Sequence, residues 1–152
     1  MSILGSGINK STLINLVDQG KIEPINIKGW FDGHRPTNFE LWYNSSKPYT
    51  IKWTPHFEPY VIVKLKDLPK FDERFVGYGY DKITFFLELH AMNYSMVGHP
   101  SAFVVHRPHV KSKDSIQYTA DKTYMGCINN LKEQFVNELV KKYSIDSKIY
   151  LS

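Results

Sequence analysis

The sequence contains a single cysteine, and this scarcity limits the chemistry open to the 152-residue chain. One thiol cannot form an internal disulfide, and it cannot build a zinc site from several cysteines. The residue, Cys127, lies in a stretch with helical periodicity, where an isolated cysteine usually behaves as a small apolar side chain. We therefore expect Cys127 to be buried in the core.

Long apolar runs are missing as well. No run approaches the roughly 18 apolar residues of a membrane-spanning helix, and polar, glycine-containing sequence follows Met1 in place of a signal-peptide core. The chain itself is thus expected to carry no membrane segment and no signal peptide. This predicts a cytoplasmic protein if the sequence is complete. Three N-glycosylation sequons begin at Asn9, Asn44 and Asn93, and they favour instead a protein that passes through the lumen of the secretory pathway.

Clusters of positive charge are scarce, although the net charge is +4 and the pI is about 9.0. Lysines and arginines are scattered, and only Lys141 and Lys142 are adjacent. This pattern favours an anionic partner such as a nucleotide, a phosphate or an acidic glycan, and argues against a nucleic-acid stripe. Aromatic residues make up 14% of the chain, which fits either sugar stacking or an aromatic-rich core.

The length predicts one domain covering residues 1–152, and the alternation of strand and helix patterns indicates an α/β or α+β fold. Helical spacing marks residues 11–20, 81–92 and about 118–143, with Ser11 or Thr12 capping the first helix and Gly20 ending it. Strand patterns mark residues 49–53 and 60–65, and a short buried strand at 102–105 is expected to end at His106. Residues 21–59 are rich in Pro and Trp and read as irregular, functional sequence.

Three polar clusters are candidates for chemistry. At residues 106–109, His106 or His109 could bind a divalent cation, since active sites of open α/β sheets lie at strand ends. Arg107, or the nearby Lys111 and Lys113, could bind a diphosphate. Surface or structurally bonded histidines are the alternative. At residues 77–82, Gly77 and Gly79 allow close backbone approach to a ligand, and Asp81 is either a general base or a helix cap.

The third cluster, residues 53–60, is a rigid aromatic segment that carries one carboxylate, Glu58. Rings beside an acid fit a carbohydrate subsite, and they equally fit a structural turn.

Four segments in order resemble glycosyltransferase family 49, the LARGE-type transferases that include a β-1,4-glucuronyltransferase. They are Gly33-His34-Arg35-Pro36-Thr37, then Trp53 with His56-Phe57-Glu58-Pro59-Tyr60, then Arg74-Phe75-Val76-Gly77-Tyr78-Gly79 with Lys82, and His106-Arg107-Pro108-His109. Cys127, Leu131-Lys132 and Phe135 resemble the terminal helix of the family. The resemblance covers about residues 11–143.

This resemblance implies a GT-A fold with a mixed sheet flanked by helices, a UDP-sugar donor, manganese, a glycan acceptor and work in the Golgi lumen. It implies transfer of a sugar, expected to be glucuronic acid, with inversion. The metal ligand is expected to be His106, with His109 as the alternative, and the base Asp81 or Glu58. Donor or acceptor contacts are expected from Gly77, Gly79, Lys82, Trp53, His56, Tyr60, Arg107 and His109.

The sequence departs from the family pattern in two places. Asp81 stands where family members tend to carry Asn, and no Asp-x-Asp pair is present to hold the metal. One histidine is a poor manganese site, because this ion prefers oxygen ligands.

These departures predict that the amino-terminal nucleotide-binding half is missing and that a partner chain or missing half would have to complete the enzyme. Exposed apolar surface and self-association would follow. The alternative is a non-catalytic glycan-binding module without nucleotide affinity.

Overall fold

The computed structural model describes residues 8–25 and 28–150, and these residues form two compact units. The first unit contains the residues up to Lys52 together with Met96–Arg107. The second contains Trp53–Ser95 and the residues from Pro108 onward. The described residues are rich in helix and hold one small antiparallel sheet, which confirms the mixture of helices and strands expected from the sequence.

The helices and strands follow one another along the chain with long irregular segments between them. The α-helices are α1 (Lys10–Asp18), α2 (Phe31–His34), α3 (Phe39–Asn44), α4 (Asp81–Ala91), α5 (Lys113–Ala120) and α6 (Lys122–Tyr143). The strands are β1 (Tyr49–Ile51) and β2 (Met96–Gly98), and 3-10 helices lie at Arg35–Thr37 and Ser147–Ile149. None of the described helices is both long enough and apolar enough to cross a membrane.

Helix α1 has the predicted position but a different cap. The Asn9 side chain, and not Ser11 or Thr12, accepts a hydrogen bond from the Thr12 amide at 2.9 Å. Asparagine is as good a cap as serine, because its side-chain oxygen reaches the same free amides. The helix ends before Gly20, which adopts a left-handed φ of 65° as expected.

Trp42 is the centre of the first unit and is only 6% exposed. Its Nε1 donates to the carbonyl of His99 at 3.1 Å, and its ring meets Phe103 edge-on at 6.1 Å. The Lys10 ammonium lies 4.6 Å from the centre of the Trp42 ring and donates to the Ser45 carbonyl at 2.7 Å. These contacts fasten α1 and the segment after β2 to α3.

Strands β1 and β2 pair antiparallel, with Tyr49 opposite Gly98 and Ile51 opposite Met96. The Tyr49 ring covers Gly98 so closely that a β-carbon there would lie 2.4 Å from it. The Tyr49 hydroxyl donates to the Thr37 carbonyl at 2.8 Å. The predicted strand at residues 49–53 is confirmed over its first three positions.

Helix α4 is the central element of the second unit. Eight of its eleven residues are buried, which is more than a surface helix buries. Ile83 and Leu87 of α4 belong to one core cluster with Phe135, Val136 and Leu139 of α6, joined by Phe75 and Tyr150. The packing of α4 on α6 therefore forms the core of this unit.

The helix predicted at residues 118–143 is two helices. Asp121 interrupts them with an extended backbone (φ −101°, ψ 100°), and its carboxylate accepts hydrogen bonds from the amides of Thr123 and Tyr124 at 2.9 and 3.0 Å. Ser112 caps α5 in the same manner, through the Ser115 amide at 3.1 Å. Aspartate competes with the helix backbone in this way, which explains the break.

Two predicted strands do not form within the described residues. Residues 60–65 are irregular, and Ile62 and Leu65 are 100% and 90% exposed. Residues 102–105 are also irregular, and Val104 is 66% exposed, so the predicted buried strand before His106 is wrong. A strand pattern needs a neighbouring strand, and β1 and β2 are the only pair in the described part of the chain.

The expected mixed sheet is accordingly replaced, in the described residues, by a two-stranded antiparallel one. The GT-A architecture stays a prediction. Cys127 is exposed on α6, so its predicted burial is wrong, because the face of α6 that meets the core runs through Ile128 and Phe135 instead.

Replacing Leu87 by Ala should test the α4 core. Leu87 is fully buried, and we expect the substitution to lower the free energy of unfolding by about 2–5 kcal/mol, because it removes apolar contact and leaves a cavity. Urea denaturation measures this change. Leu65→Ala is the matched control in the same unit, where 90% exposure predicts a change below about 0.5 kcal/mol. Equal losses in the two variants would contradict the assignment of the core.

Candidate functional site

Two of the segments singled out in the sequence meet in the second unit. Glu58 Oε2 lies 3.4 Å from Lys82 Nζ, and the same ammonium lies 5.3 Å from the centre of the Tyr60 ring. Residues 53–60 and 77–82 are thereby joined through three side chains, which we call the Lys82 cluster: Glu58, Tyr60 and Lys82. Tyr60 is 58% exposed, so more than half of this aromatic residue beside the ion pair is open to solvent.

The start of α4 places Lys82 and Asp81 at this surface. Tyr80 precedes the helix in a left-handed conformation (φ 62°, ψ −8°), and its side chain makes no capping hydrogen bond. Asp81 is the first residue of the helix and not its cap, and its side chain is exposed. A carboxylate in the first turn is favoured by the helix dipole. Asp81 therefore presents a carboxylate next in sequence to the ammonium of Lys82.

The glycines of the 77–82 segment are required by close protein contacts. Gly77 has a φ of 87°, and a β-carbon there would lie 2.5 Å from the Tyr124 hydroxyl. Gly79 has a φ of 119°, and a β-carbon there would lie 3.0 Å from the Tyr118 ring and 3.1 Å from Ile128. The close approach expected at both glycines is thus made to side chains of α5 and α6.

Tyrosines of α5 and α6 hold the glycine segment. The Tyr124 hydroxyl donates to the Val76 carbonyl at 2.9 Å and accepts from the Tyr78 amide at 3.3 Å. The Tyr78 and Tyr118 rings lie 5.6 Å apart, and burial, followed by the neighbouring Tyr80, raises the pKa of Tyr118. Lys132 Nζ lies 5.6 Å from the centre of the Tyr80 ring, and burial lowers the pKa of Lys132.

These contacts were missed in the sequence, because they join residues some 40 to 50 positions apart in the chain. The spacing of residues within one helix or strand gives no information about contacts between segments so far apart in the chain.

Arg74 fixes the chain just before the glycine segment. Its guanidinium bridges Asp72 at 2.6 Å and Glu138 of α6 at 2.7 Å. Hydrogen bonds from Arg74 lower the pKa of both carboxyls and raise the pKa of the guanidinium. Arg74, from the third of the segments that resemble the family, thus has a structural role, because it connects the loop to α6.

Trp53 is placed as a packing residue. Its ring stacks on His90 of α4 at 4.0 Å, with 18° between the planes, and lies 5.6 Å from Tyr150. His90 Nδ1 is 2.9 Å from the Tyr150 hydroxyl, and burial lowers the pKa of His90. These protein groups occupy faces of Trp53 that a sugar would otherwise use, although its role in binding stays a prediction.

The rest of the 53–60 segment is a tight turn. The Phe57 amide donates to the Thr54 carbonyl at 3.0 Å, and Phe57 is only 1% exposed. The structural turn considered for this segment is therefore present. His56 is half-buried within it, and Glu58 and Tyr60 follow the turn toward Lys82.

The histidine cluster lies on an exposed irregular segment. His106 and Arg107 belong to the first unit and His109 to the second, and all three are exposed. His109 Nδ1 is 2.8 Å from the carbonyl of Val110. Within residues 8–25 and 28–150, no group of three or more His, Cys, Asp or Glu side chains converges to hold a metal ion. The described residues therefore do not make up a manganese site.

Comparison with known proteins identifies the class to which these features belong. Residues 6–144 match the model of a family described as glycosyl-transferase for dystroglycan, and the chain belongs to this family, glycosyltransferase family 49. The resemblance expected from the four sequence segments is confirmed.

Individual relatives are LARGE-type transferases. The chain is 37% identical over 144 residues to xylosyl- and glucuronyltransferase LARGE2s of Gallus gallus. It is 35% identical over 144 residues to xylosyl- and glucuronyltransferase LARGE1 of Homo sapiens. Each alignment covers 95% of this chain and 19% of the relative. The chain thus spans about a fifth of the length of the curated relatives it matches.

Replacing Gly77 by Ala should show that the glycine segment is held by packing. We expect a loss of about 1–3 kcal/mol in the free energy of unfolding, because alanine is strained at positive φ and its β-carbon would collide with Tyr124. The control is Gly126→Ala in α6, where a β-carbon meets nothing within 4 Å. That change should instead stabilise the protein by about 0.5–1 kcal/mol, since alanine favours helix. Stabilisation by both substitutions would contradict the description of Gly77.

The lowered pKa of His90 predicts a loss of stability in acid. The folded state favours the neutral ring, so this contribution is complete above the unfolded value of about 6.5 and is lost as the pH falls from there to the lowered pKa. Chemical denaturation between pH 8 and pH 5 should show a shallower dependence for His90→Phe than for the wild type, by at most about 1.4 kcal/mol per pH unit. An equal slope in His90→Phe and in the wild type would contradict this description of His90.

Proposed function

We propose that the chain forms the acceptor side of a glycosyltransferase that moves glucuronic acid from a UDP-sugar to a glycan hydroxyl with inversion, in the Golgi lumen. The contact between residues 53–60 and 77–82 at the Lys82 cluster carries this proposal. Membership of glycosyltransferase family 49 and the sugars named in its relatives supply the reaction class. Those relatives are much longer than this chain, so their activity enters here as part of the proposal.

The Lys82 cluster has the chemistry to hold an acidic glycan. An aromatic ring that is 58% exposed offers an apolar face against which a sugar ring can pack. The ammonium of Lys82, 5.3 Å from the centre of that ring, can pair with a sugar carboxylate. Glu58 holds Lys82 in place when no ligand is bound and accepts hydrogen bonds from sugar hydroxyls.

In the proposed reaction, the acceptor hydroxyl oxygen bonds to the anomeric carbon of the donor sugar. The bond from that carbon to the diphosphate oxygen breaks, UDP leaves with the electron pair, and a carboxylate takes the hydroxyl proton. Asp81 is our first choice for this base, because its exposed carboxylate has no ion pair or hydrogen bond with any described residue. Glu58 is the second choice, because it is already engaged with Lys82.

The other residues predicted from the sequence are proposed to position the catalytic carboxylates or to bind the donor. Gly77 and Gly79 keep the segment close to α5 and α6, so that α4 begins at the acceptor surface. Trp53 and His56 shape the turn that delivers Glu58. Arg107 and His109, on their exposed segment, are proposed to contact the diphosphate of the donor.

Manganese is proposed as the metal of the complete enzyme, with His106 as one ligand. Because the described residues offer no converging group around it, the oxygen ligands that manganese prefers would come from other residues or from a partner chain. His106 would bind the metal and take no other part.

A second candidate function is glycan binding without nucleotide affinity. The observation that favours it is the same open aromatic face at Tyr60 beside Lys82, since stacking and charge can hold a glycan without a donor site. The two functions differ in their ligands, so binding measurements separate them.

Transfer from UDP-glucuronic acid to a short oligosaccharide of xylose and glucuronic acid tests the proposal. The assay contains manganese chloride and the partner chain or other residues that complete the metal site. Asp81→Asn should lower the transfer rate by about 10²–10⁴-fold, because it removes the proton acceptor, while leaving the melting temperature unchanged. Asp114→Asn is the matched control, another exposed aspartate in the first turn of a helix, and should keep the rate within about twofold.

Full transfer by both Asp81→Asn and Glu58→Gln would contradict the proposed base. In a parallel thermal-shift measurement, a donor bound at 100 times its dissociation constant should stabilise the chain by about 2.7 kcal/mol. Stabilisation by the oligosaccharide alone, with none from UDP-glucuronic acid and manganese, would establish the glycan-binding function instead.

A further inference from the structure

We propose that Asn93 is an N-linked glycosylation site. It begins the sequon Asn93-Tyr94-Ser95, in which the middle residue is not proline. The glycosylating enzyme recognises the Asn and the Ser of a sequon, and here both Asn93 and Ser95 are exposed. The Asn93 side chain makes no hydrogen bond with any described residue, so its amide nitrogen is available as a nucleophile.

The sequon lies on a well-defined turn that follows α4. The amides of Met92, Asn93 and Tyr94 donate to the carbonyls of Glu88, His90 and Leu89 at 2.9, 2.9 and 3.0 Å. Asn93 has a left-handed φ of 61°, as expected for the residue just past a helix end. The amides of Asn93 and Tyr94 are therefore satisfied by the helix end, and a glycan on the Asn93 side chain would break neither bond.

The other two sequons are less suited to carry a glycan. The Asn44 side-chain nitrogen donates to the Glu40 carbonyl at 3.0 Å, so the reacting atom is engaged within α3. Asn9 is exposed, but its side-chain oxygen accepts from Ser11 and from both the amide and the hydroxyl of Thr12 as the cap of α1. Asn93 is the sequon asparagine whose side chain the fold does not use.

The modification is a group transfer from a lipid-linked oligosaccharide. The Asn93 amide nitrogen bonds to the anomeric carbon of the terminal N-acetylglucosamine, the bond from that carbon to the lipid pyrophosphate breaks, and the pyrophosphate leaves with the electron pair. The amide proton passes to a base of the cellular oligosaccharyltransferase. The inference rests on the lumenal location included in the proposed function, and not on transfer activity of this chain.

The test is secretion of the full chain, fused to a cleavable signal sequence, from cultured human cells. Every molecule in the medium has passed through the lumen, so the outcome does not depend on how the chain is normally delivered or on whether it transfers sugar. Glycans are removed with peptide-N-glycosidase in heavy-oxygen water, which marks each occupied Asn as labelled Asp. Peptide mass spectrometry then gives the occupancy at Asn93, Asn44 and Asn9.

Three variants separate the sequon from the turn. Ser95→Ala and Asn93→Gly should both abolish the label, and Gly keeps the left-handed conformation that the turn needs. Ser95→Thr preserves the sequon and should keep the label. We expect most wild-type molecules to be labelled at Asn93 and fewer at Asn44. An unlabelled Asn93 in secreted wild-type protein, or a label that survives Ser95→Ala, would overturn the proposal.

Discussion

The second unit depends on the burial of α4 against α6. Leu87 of α4 and Val136 of α6 are both fully buried, and Ile83, Phe135 and Leu139 complete the contact. Burial of each such side chain is worth roughly 1.5–3 kcal/mol, which makes this packing a major favourable contribution to the unit. With its axis fixed, both ends of α4 are fixed too. One end presents Asp81 and Lys82 beside Glu58, and the other forms the turn at Asn93.

A second set of contacts sets the shape of the segment that leads into α4. Arg74 ties the preceding loop to Glu138, and Tyr124 holds the backbone at Val76 and Tyr78. Both partners lie on α6, so the helix that supplies the core also positions the candidate site. Such positioning matters for catalysis, because displacements of about 1 Å from the productive geometry are costly.

Much of this arrangement could be predicted from local sequence. The positions of α1 and α4 follow from their apolar spacing, and the family follows from four ordered segments. The cap at Asn9 and the break at Asp121 were missed because a polar side chain that captures nearby amides overrides apolar periodicity. The strand predicted at residues 60–65 does not form, because an alternating apolar pattern forms a strand only where another strand lies beside it.

The site was only partly predictable for the same reason. Glu58, Tyr60 and Lys82 were expected individually, and their contact came from the fold. The tyrosines at positions 118 and 124 had no signal in the sequence, because their partners lie in a different segment. Beyond Tyr60, Ile62 and Leu65 are almost fully exposed, and the self-association expected from exposed apolar surface stays a prediction.

The central claim is that the Lys82 cluster at the start of α4 is where a glycan binds. Its most direct test is an NMR titration of the isotope-labelled chain with a short oligosaccharide of xylose and glucuronic acid, followed through backbone amide shifts. The account predicts saturable shifts concentrated at Glu58, Tyr60 and residues 77–82, which disappear in Lys82→Met. Shifts confined to other regions, or no saturable shift in a folded sample, would contradict it.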